Sequence, residues 1–173
     1  MTLLESKSIS MGTPVPDFSL KGVDDQMHGL SDFSDAEVLV VVFMCNHCPY
    51  VQAIWDQLVA LQAKFEDKNV QFVGINPNYH PDYPEDSLEK MKDYHAEYEM
   101  NFPYLIDESQ EVAKAFGAQC TPDIFVYNDE GKLSYHGRIE GEELSEAIEV
   151  LLRSEVPSED QNSSIGCSIK WRD

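Results

Sequence analysis

Residues 38–51 read V-L-V-V-V-F-M-C-N-H-C-P-Y-V, and this stretch decides the fold. Residues 38–44 form an unbroken apolar run rich in β-branched side chains, with no polar alternation. Such a run suits a strand buried on both faces, as parallel strands of α/β domains are. From Val51 the period changes. Val51, Ile54, Trp55, Leu58, Leu61 and Phe65 recur at helical spacing and give one apolar face. Between strand and helix stand Cys45, Asn46, His47 and Cys48. Pro49 then fits a first helical turn, where its missing N–H costs little.

Working outward, residues 12–16 carry two prolines and read as an entry loop. Residues 18–20 suit a short edge strand and residues 22–26 a turn. Residues 70–75 are a second strand, residues 76–84 a proline-rich loop, and residues 86–100 a polar helix. Residues 104–106 are a brief strand. Residues 107–117 suit a short helix with Asp107 as N-cap, Gln110 completing a capping box and Gly117 ending it. Residues 124–127 and 133–136 form a hairpin around Asn128 to Gly131. Leu144, Ile148, Leu151 and Leu152 mark a last amphipathic helix. This order predicts an α/β domain: a central mixed, mostly parallel sheet with helices on both faces. The domain is expected over residues 1–153, followed by a tail over 154–173. Ile165, Ile169 and Trp171 are costly to leave in water, so the tail is expected to dock on the domain.

The chain has 173 residues, with 12 basic against 32 acidic, a net charge of −20. Self-repulsion on that scale keeps a protein soluble and disfavours nucleic acid and anionic membranes as partners. No apolar run approaches membrane-spanning length, and residues 1–11 hold no signal-peptide core, so the expected location is the cytoplasm. The 4 cysteines are Cys45, Cys48, Cys120 and Cys167. In a reducing compartment a close pair is catalytic or metal-binding rather than a structural disulfide.

The order strand, C-x-x-C, helix places both sulfurs at a helix start, where free N–H groups and the macrodipole favour a thiolate. Cys45 is expected to attack a substrate disulfide, and Cys48 to resolve the mixed disulfide. This requires sulfurs that solvent can reach. His47, if protonated, would stabilise the Cys45 thiolate; otherwise it is a solvent-facing residue of little consequence. A closed zinc site needs four ligands, and His28, His80, His95 and His136 show no ligand spacing, so no resident metal and no cofactor are expected. An open copper site would draw on His80.

Together with Cys120-Thr121-Pro122 before a strand, these features resemble the thioredoxin superfamily, in its redoxin branch of alkyl hydroperoxide reductase/thiol-specific antioxidant-like proteins. Within it the chain is similar to peroxiredoxin-like proteins of unassigned function. The shared segments are C-N-H-C-P-Y-V (45–51), P-E-D-S (84–87), C-T-P-D (120–123) and S-I-G-C-S-I-K-W (164–171). The resemblance implies a thioredoxin-like fold and Cys45 as the attacking thiol. It also implies a cis Thr121–Pro122 bond beside the dithiol, with Thr121 and Pro122 meeting the substrate chain. The chain departs from the peroxiredoxin pattern Pro-x-x-x-Thr-x-x-Cys: counting back from Cys48 gives Val41 and Cys45, and from Cys45 gives Val38 and Val42. Leu39 stands where thioredoxins carry a buried acid, and Met44 where they carry a Trp.

Cys120 reads either as an alternative resolving thiol or as a small buried hydrophobe. Cys167 reads as a second resolving thiol if the tail folds back. Three activities follow from this sequence. The first is thiol–disulfide exchange, with a protein or small-molecule disulfide substrate and an upstream reductant. The second is thiol-dependent peroxide reduction. The third is non-enzymatic, as a binding module or copper chaperone.

Overall fold

The computed structural model describes residues 3–172. The leader reading falls partly on Met1 and Thr2, and the tail ends at Asp173; these three lie outside the described residues. In chain order the elements begin with β1 (Leu3–Glu5), β2 (Ser19–Gly22), β3 (Met27–Gly29), β4 (Val38–Phe43), α1 (Pro49–Gln52) and α2 (Trp55–Phe65). Next come β5 (Val70–Asn76), α3 (Leu88–Glu97), β6 (Tyr104–Ile106), α4 (Glu111–Phe116) and β7 (Cys120–Thr121). The chain closes with β8 (Asp123–Tyr127), β9 (Leu133–His136), α5 (Glu143–Leu152) and β10 (Ile165–Ser168).

β4 runs through the middle of a seven-stranded sheet ordered β3-β2-β6-β5-β4-β8-β9. All of its side chains are buried. Val38, Val40 and Val42 face one core with Trp55 and Leu58 of α2, Met91 of α3 and Ile148 of α5. Leu39, Val41 and Phe43 face the other with Phe18 and with Ala113 and Phe116 of α4. A strand serving two cores has no solvent side, and this is why the run is continuous. Each such side chain contributes about 1.5–3 kcal/mol on burial.

The fold is the expected α/β sandwich of helices about a mixed sheet. The sheet is mostly antiparallel, not mostly parallel as expected: among the described residues parallel pairing is confined to β4–β5 and β5–β6, while β4–β8, β8–β9, β2–β6 and β2–β3 are antiparallel. Parallel neighbours need a crossover, and only α2 and α3 supply crossovers here; the short β2–β3 and β8–β9 turns force antiparallel flanks. β2 is interior, and β3 takes the edge instead. The expected helix through Val51 to Phe65 is broken near Ile54 (φ −113, ψ 0), giving the short α1 and then α2. The helix expected from Asp107 starts later, at Glu111, because Gln110 adopts φ 66. Asp107 Oδ2 still accepts from the Ala113 N–H at 2.8 Å, so it serves a free helical donor from further back.

The tail forms a strand. β10 lies between β1 and β7, antiparallel to both, with Cys167 opposite Leu3 on one side and Thr121 on the other. Beyond it, Asn78 Oδ1 accepts from the Lys170 N–H at 3.0 Å, and Gln110 Nε2 donates to the Lys170 carbonyl at 2.8 Å. Ile169 enters the second core. Among the described residues no helix is long and apolar enough to cross a membrane.

Candidate active site

β4 and Met44 deliver Cys45 into the first core, and Cys48 is the N-cap of α1, with extended backbone (φ −75, ψ 121) and Pro49 at the first helical position. The Cys48 carbonyl accepts from the Val51 and Gln52 N–H groups at 3.1 and 3.0 Å, which fixes the C-x-x-C loop to the helix. Asn46 clamps the loop from inside. Its Oδ1 accepts from the Tyr104 hydroxyl at 2.7 Å, its Nδ2 donates to the Glu85 carbonyl at 2.8 Å, and its own carbonyl accepts from Gln52 Nε2 at 2.8 Å.

Asp86 is the site residue to which the sequence reading gave no role. It ends the 3-10 turn Pro84–Asp86 and is fully buried. Its Oδ1 accepts from the backbone N–H groups of Asn46 (2.8 Å) and His47 (3.2 Å), and its Oδ2 faces His47 Nδ1. Asp86 lies inside the P-E-D-S segment quoted above, and that was its only signal. Leu39, the position expected to carry an acid, packs into the opposite core. The acid near this dithiol therefore comes from a different element. The Asp86 carboxylate raises the His47 pKa against the opposing effect of burial. The His47 ring also stacks on Tyr83, 5.7 Å between centroids at 20°.

The Thr121–Pro122 peptide is cis and stands across from the dithiol. Cys45 Sγ lies 3.5 Å from Thr121 Oγ1, and Cys48 Sγ lies 3.5 Å from the Thr121 carbonyl oxygen. Cys48 Sγ also lies 2.7 Å from Cys167 Sγ. The site thus gathers Cys45, His47, Cys48, Thr121, Pro122 and Cys167. Cys120 points elsewhere, with its thiol directed at the Pro122 carbonyl at 3.7 Å. Burial and then the nearby Asp123 push its pKa upward, so it remains a protonated thiol.

The surroundings shift the two thiols in opposite directions. The Cys48 thiol is lowered to about 5 by hydrogen bonding from Cys45, then from Cys167 and the Val51 and Tyr50 N–H groups, against burial. The Cys45 thiol is pushed well up by burial first, then by its bond to the charged Cys48 and by Asp86. The start of α1 contributes to the lowering of Cys48, after the bonds from Cys45 and Cys167. Both sulfurs are fully buried, where exchange would need access. The cover is β10, paired along β7 over the dithiol.

Donor atoms of Cys45, His47 and Asp86 lie within 4.8 Å of one another. Asp86 already spends its oxygens on two backbone donors and on His47, so this is a closed polar network rather than a vacant cation site. His80, the histidine expected to serve copper, accepts from the Asp82 N–H at 3.0 Å and is not part of the cluster.

Residues 11–136 match the AhpC/TSA family model. The chain is 40% identical to an uncharacterized conserved protein from Geobacillus kaustophilus, with TM-score 0.96 over 99% of this chain and 97% of that one. It is 23% identical over 153 residues to the thiol-disulfide oxidoreductase ResA of Bacillus thuringiensis subsp. konkukian, covering 88% of this chain and 83% of the relative. At 22% identity, a putative thiol:disulfide interchange protein DsbE from Chlorobium tepidum shares the fold, with TM-score 0.72 over 84% of this chain and 99% of that one. With the family model spanning most of its length, the chain belongs to the AhpC/TSA family.

Proposed function

We propose that this protein is a thiol–disulfide oxidoreductase acting through Cys45 and Cys48 on protein or small-molecule disulfides, with an upstream dithiol reductant restoring the pair. The observation that carries the reading is the placing of the two sulfurs, Cys45 just before α1 and Cys48 at its N-cap, with Thr121 of the cis Thr121–Pro122 pair opposite both. The names of the ResA relatives point to the same class of reaction. In the forward direction Cys48 attacks a substrate sulfur and expels a thiolate, leaving a mixed disulfide. Cys45, relieved of the neighbouring charge, then attacks Cys48 and releases the reduced substrate. His47 and Asp86 hold the loop and set the local charge. Access to Cys48 depends on β10 lifting away, since Cys167 of that strand sits directly on its sulfur.

Insulin reduction with dithiothreitol as electron source tests this. Turnover should exceed the protein-free rate and fall at least about a hundredfold, about 2.7 kcal/mol of barrier, in Cys48→Ser. Cys45→Ser combined with Cys167→Ser should stall as a mixed disulfide, visible by mass. A wild-type rate equal to the protein-free rate overturns the reading. Peroxide consumption with the same reductant serves as a control arm, because neither counting frame supplies the Pro and Thr of a peroxide site.

A further inference from the structure

We propose that Cys167 is a third redox thiol of this site, and that β10 seats it on Cys48 so that a Cys48–Cys167 disulfide forms during the reaction. This rests on the oxidoreductase reading and extends it. The seating is built by backbone, not by the sulfur alone. Cys167 is in register with Thr121 and Ser168 with Cys120, while β1 holds the other edge of the strand. The result is a sulfur–sulfur distance of 2.7 Å. Gly166 makes the approach possible: a Cβ there would lie 2.0 Å from the Thr121 carbonyl oxygen and 3.0 Å from the Pro122 nitrogen. Lys170 and Arg172 are tied beyond it to Asn78 and Gln110, so the strand is anchored on both sides of the cysteine.

The chemistry balances with a small disulfide RSSR as oxidant. With the tail lifted, the Cys48 thiolate attacks one sulfur, forming Cys48–S–S–R and releasing RS⁻. The tail re-docks. Cys167 gives up its proton, attacks Cys48 Sγ and expels the second RS⁻. RSSR has then gained two electrons as two thiols, and Cys48 and Cys167 have lost two as a disulfide. In the reduced state Cys167 keeps its proton, its pKa raised to about 12 by burial and by the Cys48 charge. Capping Cys48 removes that charge at the step where Cys167 must ionise. Cys45 can then attack Cys48, passing the disulfide to Cys45–Cys48 and freeing the tail as a thiol.

The test is non-reducing tryptic mapping after treatment with oxidised glutathione and alkylation. Cys45 and Cys48 share the peptide 22–64, Cys120 lies in 115–132 and Cys167 in 154–170. The expected product joins 22–64 to 154–170. It should accumulate in Cys45→Ser, where the hand-off is blocked, and vanish in Cys48→Ser. Gly166→Val, with all cysteines kept, should lower its yield at least about tenfold. If Cys45–Cys48 is the only disulfide in wild type and Cys45→Ser gives no joined peptide, the inference falls and the oxidoreductase reading stands. If no thiol is oxidised at all, both fall.

Discussion

Gly166 lies so close to Thr121 that the peptide unit before Pro122 occupies the space a side chain would need. The chain's own C-terminal strand is therefore fitted to the backbone beside the dithiol, and the fit tolerates only glycine. Cys167 and Ile169 are almost fully buried by this docking. Replacing Gly166 by Val sets a Cβ against main-chain atoms of Thr121 and Pro122, which cannot rotate away as a side-chain tip can. We expect the tail to undock and iodoacetamide to modify Cys45 and Cys48 at least about tenfold faster, a loss of docking energy of about 1.4 kcal/mol or more. Equal alkylation rates in variant and wild type would show that β10 does not shield the sulfurs.

The Cys48 pKa is open to direct measurement. Thiolate ultraviolet absorbance should appear with a midpoint near about 5, not near the ordinary 9.0. Cys45→Ala removes the largest stabilising bond and should raise the midpoint most; Cys167→Ala should raise it less. The depressed pKa also links to stability. The contribution is fully present above the ordinary thiol value and is lost as pH falls towards and through about 5. Thermal midpoints should therefore decline from pH 8 to pH 5 more steeply in wild type than in Cys48→Ala. Parallel profiles would remove the thiolate from the account.

Asn46 offers a stability test inside the C-x-x-C loop. Its side chain satisfies the buried Tyr104 hydroxyl and the Glu85 carbonyl at once. Asn46→Ala strands both groups, and an unsatisfied buried group costs about 1–3 kcal/mol. Adding Tyr104→Phe removes the stranded donor and leaves only the Glu85 acceptor, so the double variant should recover part of the loss. Urea unfolding across the four-protein cycle measures this coupling. Strictly additive losses would mean the Tyr104–Asn46 bond carries no energy.

The sequence revealed the parts of this molecule in which local pattern and tertiary role coincide. β4 is read directly because a strand packed on two cores must be apolar throughout. Gly117 ends α4 at φ 79, as its place in the pattern requires. The polar half of the site was harder to see. Asp86 sits in a proline-rich loop with nothing periodic around it, and only the fold brings it under Asn46 and His47. Gly166 carries no local signal, because its constraint comes from Thr121 of β7 lying against it. The helix start itself was legible: Pro49 takes the first helical position and Cys48 is the N-cap, so both sulfurs precede the first turn.

His47 and Asp86 yield the last prediction, and its sign is opposite to that for Cys48. The Asp86 carboxylate raises the His47 pKa, with Cys48 adding to the effect and burial and Lys170 opposing it. A raised histidine pKa stabilises the fold fully below the ordinary value of about 6.5, and the contribution is lost as pH rises through the folded-state value. Asp86→Asn keeps an oxygen for the Asn46 and His47 N–H groups but removes the charge. The His47 ring resonances should then titrate at lower pH than in wild type. Urea stability should fall by about 1–3 kcal/mol at pH 5.5, and the loss should shrink as pH rises through the raised His47 value. Asp86→Ala strands the two N–H donors as well and should cost more at both values. If Asp86→Asn left the His47 titration unchanged, the two side chains would not interact, and the charge setting of the loop would need another source.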